Sequence, residues 1–262
     1  MSKPFAVITG ASSGIGYELA RDLVSRGYDL LITAEDAEIA QAATNLRRDG
    51  VSEVTDVRAD LATAEGVEQV WAAIRATGRD VDVLALNAGR GIGGEFVGGT
   101  DLREELNVID VNVTSTVHLA KRVLPAMVAR DAGGVLFTSS VASMMPGTYQ
   151  AVYNASKSFV QSFAEALRAE LSETNVTVTA LMPGPTDTNF FHRAEMDDTR
   201  VGAGSKDDPA VVAKQGIEAL LKGKEKVVAG SLSTKAQGAA SKIMPDSVKA
   251  AMHAKMAEPG SA

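Results

Sequence analysis

Seven short apolar runs alternate with helix-like segments along most of the chain. The runs lie near residues 5–9, 30–34, 54–57, 83–87, 134–139, 176–182 and 226–230. Alternation of this kind indicates right-handed β-α-β crossovers, because two parallel strands can be joined only by a long connection that crosses a face of the sheet. The sequence therefore predicts an α/β fold, a doubly wound parallel sheet of about seven strands with helices on both faces.

Two of the helix-like segments carry conventional end signals. One is predicted from Ile15 to Arg26 and is closed by Gly27, and the other runs from Ala210 to Lys222 between Pro209 and Gly223. Proline suits the first turn of a helix, and glycine suits the residue after its end. No linker interrupts the pattern, so the chain is predicted to form one catalytic domain over residues 1–262.

The first strand runs directly into a glycine-rich turn, Gly10-Ala-Ser-Ser-Gly14-Ile-Gly16. Glycines between a strand and a helix let phosphate oxygens approach main-chain amides at the helix N-terminus, which is how dinucleotides are held. The spacing Gly-x-x-x-Gly-x-Gly differs from the more common Gly-x-Gly-x-x-Gly. Taken alone, the turn fits a dinucleotide site and a plain tight turn about equally well.

Tyr153 and Lys157 stand four positions apart, and Ser140 lies 13 residues before the tyrosine. On a helix, side chains at i and i+4 share a face, so an ammonium would lie beside a phenol. At about 4 Å and an effective dielectric near 20, the interaction is worth roughly 4 kcal/mol and is expected to lower the phenol pKa. A packed ring beside a solvated amine is the plainer interpretation. Ser139 is the competitor to Ser140, but neighbouring strand residues point in opposite directions.

The composition argues against several classes of function. A net charge of −7 and a pI near 5.1 disfavour a nucleic-acid partner, because phosphate binding needs a basic face. The absence of cysteine excludes disulfides and thiolate chemistry and suits a reducing cytoplasm. The histidines His118, His192 and His253 lack metal-ligand spacing, so no metal site is predicted. Without a signal peptide or a long apolar segment, the protein is expected to be cytoplasmic and to have no membrane partner.

Six segments occur in an informative order: Thr9-Gly-Ala-Ser-Ser-Gly-Ile-Gly16, Asn87-Ala-Gly89, Asn112, Ser140, Tyr153-x-x-x-Lys157 and Pro183-Gly-x-x-x-Thr188. Together they resemble the short-chain dehydrogenase/reductase family over roughly residues 5 to 230. The combination is far more specific than any one segment. It implies a Rossmann-like fold and an oxidoreductase that transfers a hydride between a nicotinamide cofactor and a hydroxyl or carbonyl group of a small, apolar substrate.

The resemblance also implies roles for individual residues. Tyr153 would be the general acid or base, Ser140 would bind the substrate oxygen, Lys157 would hold the ribose and lower the tyrosine pKa, and Asn112 would hold a water linked to Lys157. The cofactor-binding set implied in this way is Gly10, Ser12, Ser13, Gly14, Ile15, Gly16, Glu35, Asp60, Leu61, Asn87, Ala88, Gly89, Tyr153, Lys157, Pro183, Gly184, Thr186 and Thr188.

The choice between NAD and NADP rests on the end of the second strand. Many NADP-using relatives carry an arginine where this chain has Glu35. A carboxylate can accept hydrogen bonds from ribose hydroxyls and repels a 2′-phosphate, so NAD is favoured over NADP. The family's NAD-specific aspartate usually stands one position earlier, at Ala34, and Arg47 or Arg58 could instead reach a phosphate.

The substrate is expected to be an apolar, medium-sized alcohol or carbonyl compound. The expected lining consists of Met144, Met145, Tyr149, Phe190, Phe191 and Met196, although these residues could equally pack a loop. Residues 187–206 resemble the family's substrate lid. The extension over residues 231–262 passes beyond the last strand and is either a helical cap over the site or an interface element.

Small residues between Tyr149 and Glu170 permit close helix packing, and with the segment Asp110 to Ala129 they resemble the family's dimer face. We therefore expect a homodimer or homotetramer. Two other functions remain open at this point. A non-catalytic dinucleotide sensor would not need a proton relay, and an epimerase or dehydratase would usually need a longer C-terminal substrate domain.

Overall fold

The apolar runs form the strands of one parallel sheet. The computed structural model of the protein describes residues 3–49, 52–240 and 244–262. Its strands are β1 (Phe5–Thr9), β2 (Asp29–Ala34), β3 (Val54–Arg58), β4 (Val83–Leu86), β5 (Gly133–Thr138), β6 (Val176–Pro183) and β7 (Lys226–Ala229). They are arranged in the order β3-β2-β1-β4-β5-β6-β7, and every neighbouring pair is parallel. The predicted fold class is confirmed.

Helices connect the strands, as the alternation predicts. They are α1 (Gly14–Ser25), α2 (Glu38–Asp49), α3 (Ala64–Ala76), α4 (Leu102–Ile109), α5 (Ser115–Ala129), α6 (Ala151–Glu170), α7 (Phe190–Arg193), α8 (Arg200–Ala203), α9 (Pro209–Leu221), α10 (Leu232–Ala240) and α11 (Asp246–Ala257). A π-helical turn, Asp110–Thr114, joins α4 to α5, and a short 3-10 turn, Val141–Met144, precedes α6.

The helix ends agree with their sequence signals to within one residue. Gly27 and Gly223 follow α1 and α9 with φ angles of 86° and 64°, in the left-handed region that favours glycine. Asp208 caps α9, because its carboxylate accepts a hydrogen bond of 2.8 Å from the amide of Ala210. Pro209 then occupies the first helical position, where no amide hydrogen is needed.

Each face of the sheet carries its own apolar core. Ile8 of β1 belongs to the core beneath α1, α2 and α9, and the adjacent Val7 belongs to the core beneath α3, α5 and α6. Both side chains are completely buried. Because successive strand residues point to opposite faces, a strand buried on both sides must be apolar throughout. This explains why the central strands β1 and β4 are almost entirely apolar.

The strand order places a crevice at one edge of the sheet. After β3 the chain crosses β1 to form β4 on its other side, so the connections following β1 and β4 leave toward opposite faces. Ligands of open α/β sheets bind at such a point, beyond the carboxyl ends of the strands. Gly10, Asn87, Ser140 and Gly184 all follow strands at this edge.

After β7, helices α10 and α11 continue the chain. Residues 241–243 of the predicted C-terminal extension lie outside the described residues. Across the described part of the chain, no helix combines the length and the apolar character needed to cross a membrane.

Candidate active site

A cavity of about 420 Å³ opens at the carboxyl edge of the sheet. Its wall contains every residue of the predicted cofactor-binding set and three of the four predicted catalytic residues, Ser140, Tyr153 and Lys157. The fourth, Asn112, does not line the cavity. Motifs that lie far apart in the sequence are thus brought together by the ends of β1, β2, β4, β5 and β6.

The glycine turn at one end of the cavity is held by Asn87. Its amide nitrogen donates to the carbonyl oxygens of Thr9 and Gly10 at 3.1 and 3.3 Å. In return, the Thr9 hydroxyl accepts from the backbone amides of Asn87 and Ala88, both at 2.9 Å. These bonds join the ends of β1 and β4. Thr9 belongs to the matched motif, but this bridging role could not be read from the sequence.

Glycine is required where the turn approaches its neighbours. Gly14 has a φ of 56°, and a Cβ there would lie 2.8 Å from Cγ2 of Thr188 on the opposite wall. A Cβ at Gly16 would lie 2.0 Å from the carbonyl oxygen of Gly10. Side chains at these positions would collide with the turn or close the entrance of the cavity, so the turn keeps its backbone accessible to a ligand.

The carboxylate that faces the cavity at the end of β2 is better placed at Asp36 than at Glu35. Ser12 donates a hydrogen bond of 2.8 Å to Oδ2 of Asp36, while Oδ1 of Asp36 is buried and has no partner within the described ranges. Glu35 is exposed, and its carbonyl oxygen accepts from Arg58 at 2.9 Å. Both acidic residues line the cavity. The sequence analysis named Glu35 for this site and missed Asp36.

Neither of the arginines considered as phosphate ligands lines the cavity. Arg58 donates to the Glu35 carbonyl, and Arg47 forms an ion pair of 2.9 Å with Asp56. Beyond them along the wall, Asp60 and Leu61 follow β3 and face the cavity as predicted.

The reactive groups lie at the start of α6. Tyr153 and Lys157 are buried, with 9% and 5% of their surfaces exposed. The Lys157 ammonium donates to the Thr138 carbonyl at 3.0 Å and lies 5.9 Å from the centroid of the Tyr153 ring. A Cβ at Gly89 would lie 3.0 Å from this nitrogen, so only glycine leaves the ammonium its space.

Ser140 and Ser139 are distinguished by their hydrogen bonds. The Ser140 hydroxyl accepts from the amide of Ala142 at 3.1 Å and donates to the carbonyl of Pro183 at 3.4 Å. The Ser139 hydroxyl donates to the carbonyl of Lys157 at 3.0 Å and so anchors β5 to α6. Ser140 has the weaker, longer donor contact, which a substrate oxygen could replace.

The expected effect of Lys157 on Tyr153 is not found. Burial raises the pKa of Tyr153 to about 12, and its interaction with the Ser140 hydroxyl offsets only part of this. Burial also lowers the pKa of Lys157 to about 8. The prediction of a lowered phenol pKa was wrong, because burial of the ring dominates and the Lys157 ammonium is directed at the Thr138 carbonyl.

Asn112 lies in the π-helical turn and is almost completely buried, with 1% of its surface exposed. Its Oδ1 accepts from the amide of Arg90 at 2.8 Å, and its Nδ2 donates to the Arg90 carbonyl and the Ser156 hydroxyl at 2.9 and 2.8 Å. The side chain therefore fixes the segment after β4 against α6. The water-binding role implied by the resemblance stays a prediction.

Aromatic rings cover the tyrosine on the substrate side. The centroid of Phe190 lies 5.2 Å from that of Tyr153 and 5.5 Å from that of Phe191. Of the expected substrate lining, Met145, Phe190 and Phe191 face the cavity, whereas Met144, Tyr149 and Met196 do not. Residues that the sequence analysis missed complete this end, in particular Gln150, Arg193, His253, Met256 and Ala257.

Comparison with known proteins agrees with this geometry. The family model described as short chain dehydrogenase matches residues 4–199. The NADP-dependent 3-hydroxy acid dehydrogenase YdfG of Salmonella typhi is 31% identical over 216 residues, which cover 82% of this chain and 86% of that protein.

Two solved structures are similar in both sequence and fold. The short-chain dehydrogenase from Sphingobium yanoikuyae in complex with NADPH is 28% identical with a TM-score of 0.79, and the match covers 86% of this chain and 87% of that one. A short-chain dehydrogenase/reductase from Burkholderia phymatum in complex with NAD is 27% identical with a TM-score of 0.78, covering 86% and 88%.

The chain belongs to the short-chain dehydrogenase/reductase family. It is an NAD(P)-dependent oxidoreductase that transfers a hydride between a nicotinamide cofactor and a hydroxyl or carbonyl group of a small molecule.

Proposed function

We propose that the protein interconverts a ketone or aldehyde and the corresponding alcohol, with Tyr153 as the proton-transferring group and NAD as the cofactor. The observation that carries the proposal is a buried, protonated phenol beside Ser140 in the wall of the cavity. A pKa near 12 keeps Tyr153 protonated at neutral pH, which is the state that can donate to the oxygen of a carbonyl undergoing reduction.

The residues present fit a nicotinamide dinucleotide. Asp36 lines the cavity, and its buried Oδ1 is an acceptor without a partner among the residues that the structure describes. The turn lacks side chains at Gly10, Gly14 and Gly16, which all line the cavity, so its backbone can lie close to a bound phosphate. The adenosine end of the cofactor would be held by the glycine turn, Asp36, Asp60 and Leu61. The nicotinamide end would be held by Asn87 to Gly89, Lys157 and Thr186 to Thr188.

When bound, the cofactor supplies or accepts the hydride. The chain's own groups handle the proton and the substrate oxygen. In reduction, Tyr153 gives its phenolic proton to the developing alkoxide, and Ser140 donates a hydrogen bond to the same oxygen. Lys157 stabilises the resulting tyrosinate through its charge. In oxidation, Tyr153 must first lose its own proton before it can take one from the alcohol, and its pKa of about 12 disfavours that step at neutral pH.

NAD is favoured by charge. Glu35 and Asp36 both face the cavity at the end of β2, and a 2′-phosphate beside two carboxylates would be repelled. A ribose hydroxyl can instead donate to the unpartnered Oδ1 of Asp36. The Salmonella relative is named as NADP-dependent, and the two similar structures contain NADPH and NAD, so the family alone does not decide.

The substrate end favours an apolar body. Phe190, Phe191, Met145, Met256 and Ala257 supply most of its surface, and segment 187–206, which carries the two phenylalanines, is in our proposal the lid that covers bound substrate. The proposal keeps the predicted domain organisation, with one catalytic domain over residues 1–262 and a C-terminal extension over residues 231–262.

The assembly and the location extend this proposal. α4 exposes Leu102, Leu106 and Ile109, and the adjacent α6 exposes Phe159. Exposed apolar side chains on two helices in contact support a homodimer or homotetramer that uses α4 and α6, and α6 belongs to the face predicted from the sequence, Tyr149 to Glu170 with Asp110 to Ala129. The absence of cysteine agrees with a cytoplasmic location.

The decisive experiment is a panel of aliphatic, aromatic and hydroxylated ketones and alcohols, assayed by nicotinamide absorbance with both cofactors. Turnover that prefers NAD and depends on Tyr153 supports the proposal. Turnover that prefers NADP, or that Tyr153→Phe leaves unchanged, would overturn the proposal.

A further inference from the structure

The C-terminal helix forms part of the substrate wall. His253, Met256 and Ala257 of α11 line the cavity, about a hundred positions after Tyr153 in the sequence. The family match ends at residue 199, so this wall is supplied by a part of the chain that the family model does not include.

Hydrogen bonds attach α11 to the loop that precedes α6. Lys249 donates to the Met144 carbonyl at 3.0 Å, and the Thr148 hydroxyl donates to the carbonyl of Ala250 at 3.1 Å. The residues after α11 bind the lid in turn. The amides of Gly260 and Ala262 donate to Asp198 at 2.8 and 2.9 Å. The C-terminal segment is therefore fastened to both sides of the substrate end.

His253 is fixed in one tautomer by its surroundings. Its ring is buried, with 6% of its surface exposed, and Nδ1 lies 2.9 Å from the carbonyl oxygen of Thr148. A carbonyl oxygen can only accept, so Nδ1 carries the hydrogen. Burial lowers the pKa of His253, which keeps the ring neutral at pH 7. Nε2 is then a lone-pair acceptor, and it has no partner in the described part of the chain.

We propose that Nε2 of His253 selects substrates that carry a hydroxyl group remote from the reacting carbonyl. This inference rests on the proposed ketone–alcohol chemistry and names its substrate class. Phe190, Phe191, Met256 and Ala257 line the cavity together with His253, so we expect a ligand with a hydrocarbon body and one hydrogen-bond donor that reaches His253.

A hydroxyl fits better than an ammonium as that donor. Arg193 lines the same cavity, and its guanidinium has no hydrogen-bond or ion-pair partner in residues 3–49, 52–240 and 244–262. An uncompensated cation opposes the entry of a second cation but does not oppose a neutral hydroxyl.

The test uses matched ketone pairs: methyl ketones from pentanone to decanone, each with and without a hydroxyl on the terminal carbon. Ketones of several carbon-chain lengths are needed so that at least one of them places its terminal hydroxyl at His253. The proteins are the wild type, His253→Asn and His253→Phe. The amide nitrogen of asparagine can take the position of Nδ1 and still donate a hydrogen bond to the Thr148 carbonyl, but asparagine has no acceptor at the position of Nε2. Phenylalanine lacks both the donor and the acceptor.

At the best length, the wild type is expected to prefer the hydroxylated ketone in kcat/KM, and His253→Asn is expected to reduce that preference by about tenfold, the effect of losing one hydrogen bond. Thermal unfolding of both variants is measured alongside. A lower melting temperature with an unchanged preference would mean that His253 serves only to hold α11, and the inference would be overturned.

Binding separates this inference from the proposed function. If the wild type reduces no ketone, the proposed function fails, and titration calorimetry of the same pairs on the cofactor-free protein still measures the preference. Tighter binding of a hydroxylated ketone that is lost in His253→Asn supports the inference. Equal binding of both members of every pair, in the wild type, overturns it.

Discussion

Ser12 and Asp36 form a hydrogen bond of 2.8 Å between the glycine turn and the end of β2. The bond fixes one carboxylate oxygen of Asp36 and leaves the other buried and without a partner among the described residues. Leaving a charged acceptor unpaired is costly unless a ligand supplies the donor. In the proposed function, a hydroxyl group of the adenosine ribose would supply that donor.

Replacing Asp36 by Asn should weaken NAD binding by about tenfold or more, because a charged acceptor is exchanged for a neutral one. Glu35→Gln is the matched control, since it removes one charge at the adjacent, exposed position. Its effect should be smaller. The measurement is the dissociation constant of NAD for each protein by calorimetry, and equal losses in both variants would argue against the assignment of Asp36.

Replacing Glu35 by Arg should shift the preference toward NADP. The change removes a repulsion of the 2′-phosphate and adds a donor for it, together worth about 2–3 kcal/mol, or roughly 30- to 150-fold in the ratio of the two kcat/KM values. Glu38→Arg, three positions further on and outside the cavity wall, controls for the added charge. A wild type that already prefers NADP would contradict the proposed preference for NAD.

Tyr153→Phe should reduce kcat by two to four orders of magnitude while cofactor binding is retained, because only the proton donor is removed. Tyr149→Phe removes a phenol from a nearby residue that does not line the cavity, and should keep most of the activity. Steady-state kinetics and cofactor titration are compared for the two variants. Near-normal turnover by Tyr153→Phe would exclude the phenol as the proton donor.

The sequence was sufficient to predict the fold and most of the residues that line the cavity. The apolar runs predict strands buried on both faces, and the spacing of Ser140, Tyr153 and Lys157 predicts their meeting, because each follows from local pattern and strand order. The cofactor-facing acid was harder to identify. That Asp36 lines the cavity beside Glu35 depends on the path of the chain after β2 and on the partner Ser12, neither of which is encoded in spacing.

Two other features depend on tertiary structure alone. The pKa of Tyr153 rises because its ring is buried, and the Lys157 ammonium donates to the Thr138 carbonyl. A charge pair inferred from i, i+4 spacing contains no information on desolvation. His253 enters the site only because α11 folds back onto the loop before α6. No motif surrounds His253 in the sequence, so its place in the site could not be predicted.

The proposed assembly can be tested at Leu106, a residue of α4 with 48% of its surface exposed. Leu106→Glu should produce monomers, because a buried unpaired charge at an apolar interface costs several kcal/mol. Val211→Glu is the control, since Val211 is similarly exposed, at 44%, on α9. Light scattering at micromolar concentration compares the three proteins. A monomeric wild type would contradict the proposed dimer or tetramer.

Lys157 should make stability depend on pH in alkaline solution. Its pKa is about 8 in the folded protein, below the usual value of 10.5, so the unfolded chain binds more protons between these values and stability rises with pH in that window. Tyr153 acts in the opposite direction only above pH 10, because burial raises its pKa from 10.0 to about 12. From pH 7 to pH 10 the lysine should therefore add about 2 kcal/mol to the free energy of unfolding. Lys157→Met lacks this titration, and urea unfolding of both proteins at the two pH values measures the difference. A gap between wild type and variant that stays constant with pH would show that the ammonium is not desolvated in the folded protein.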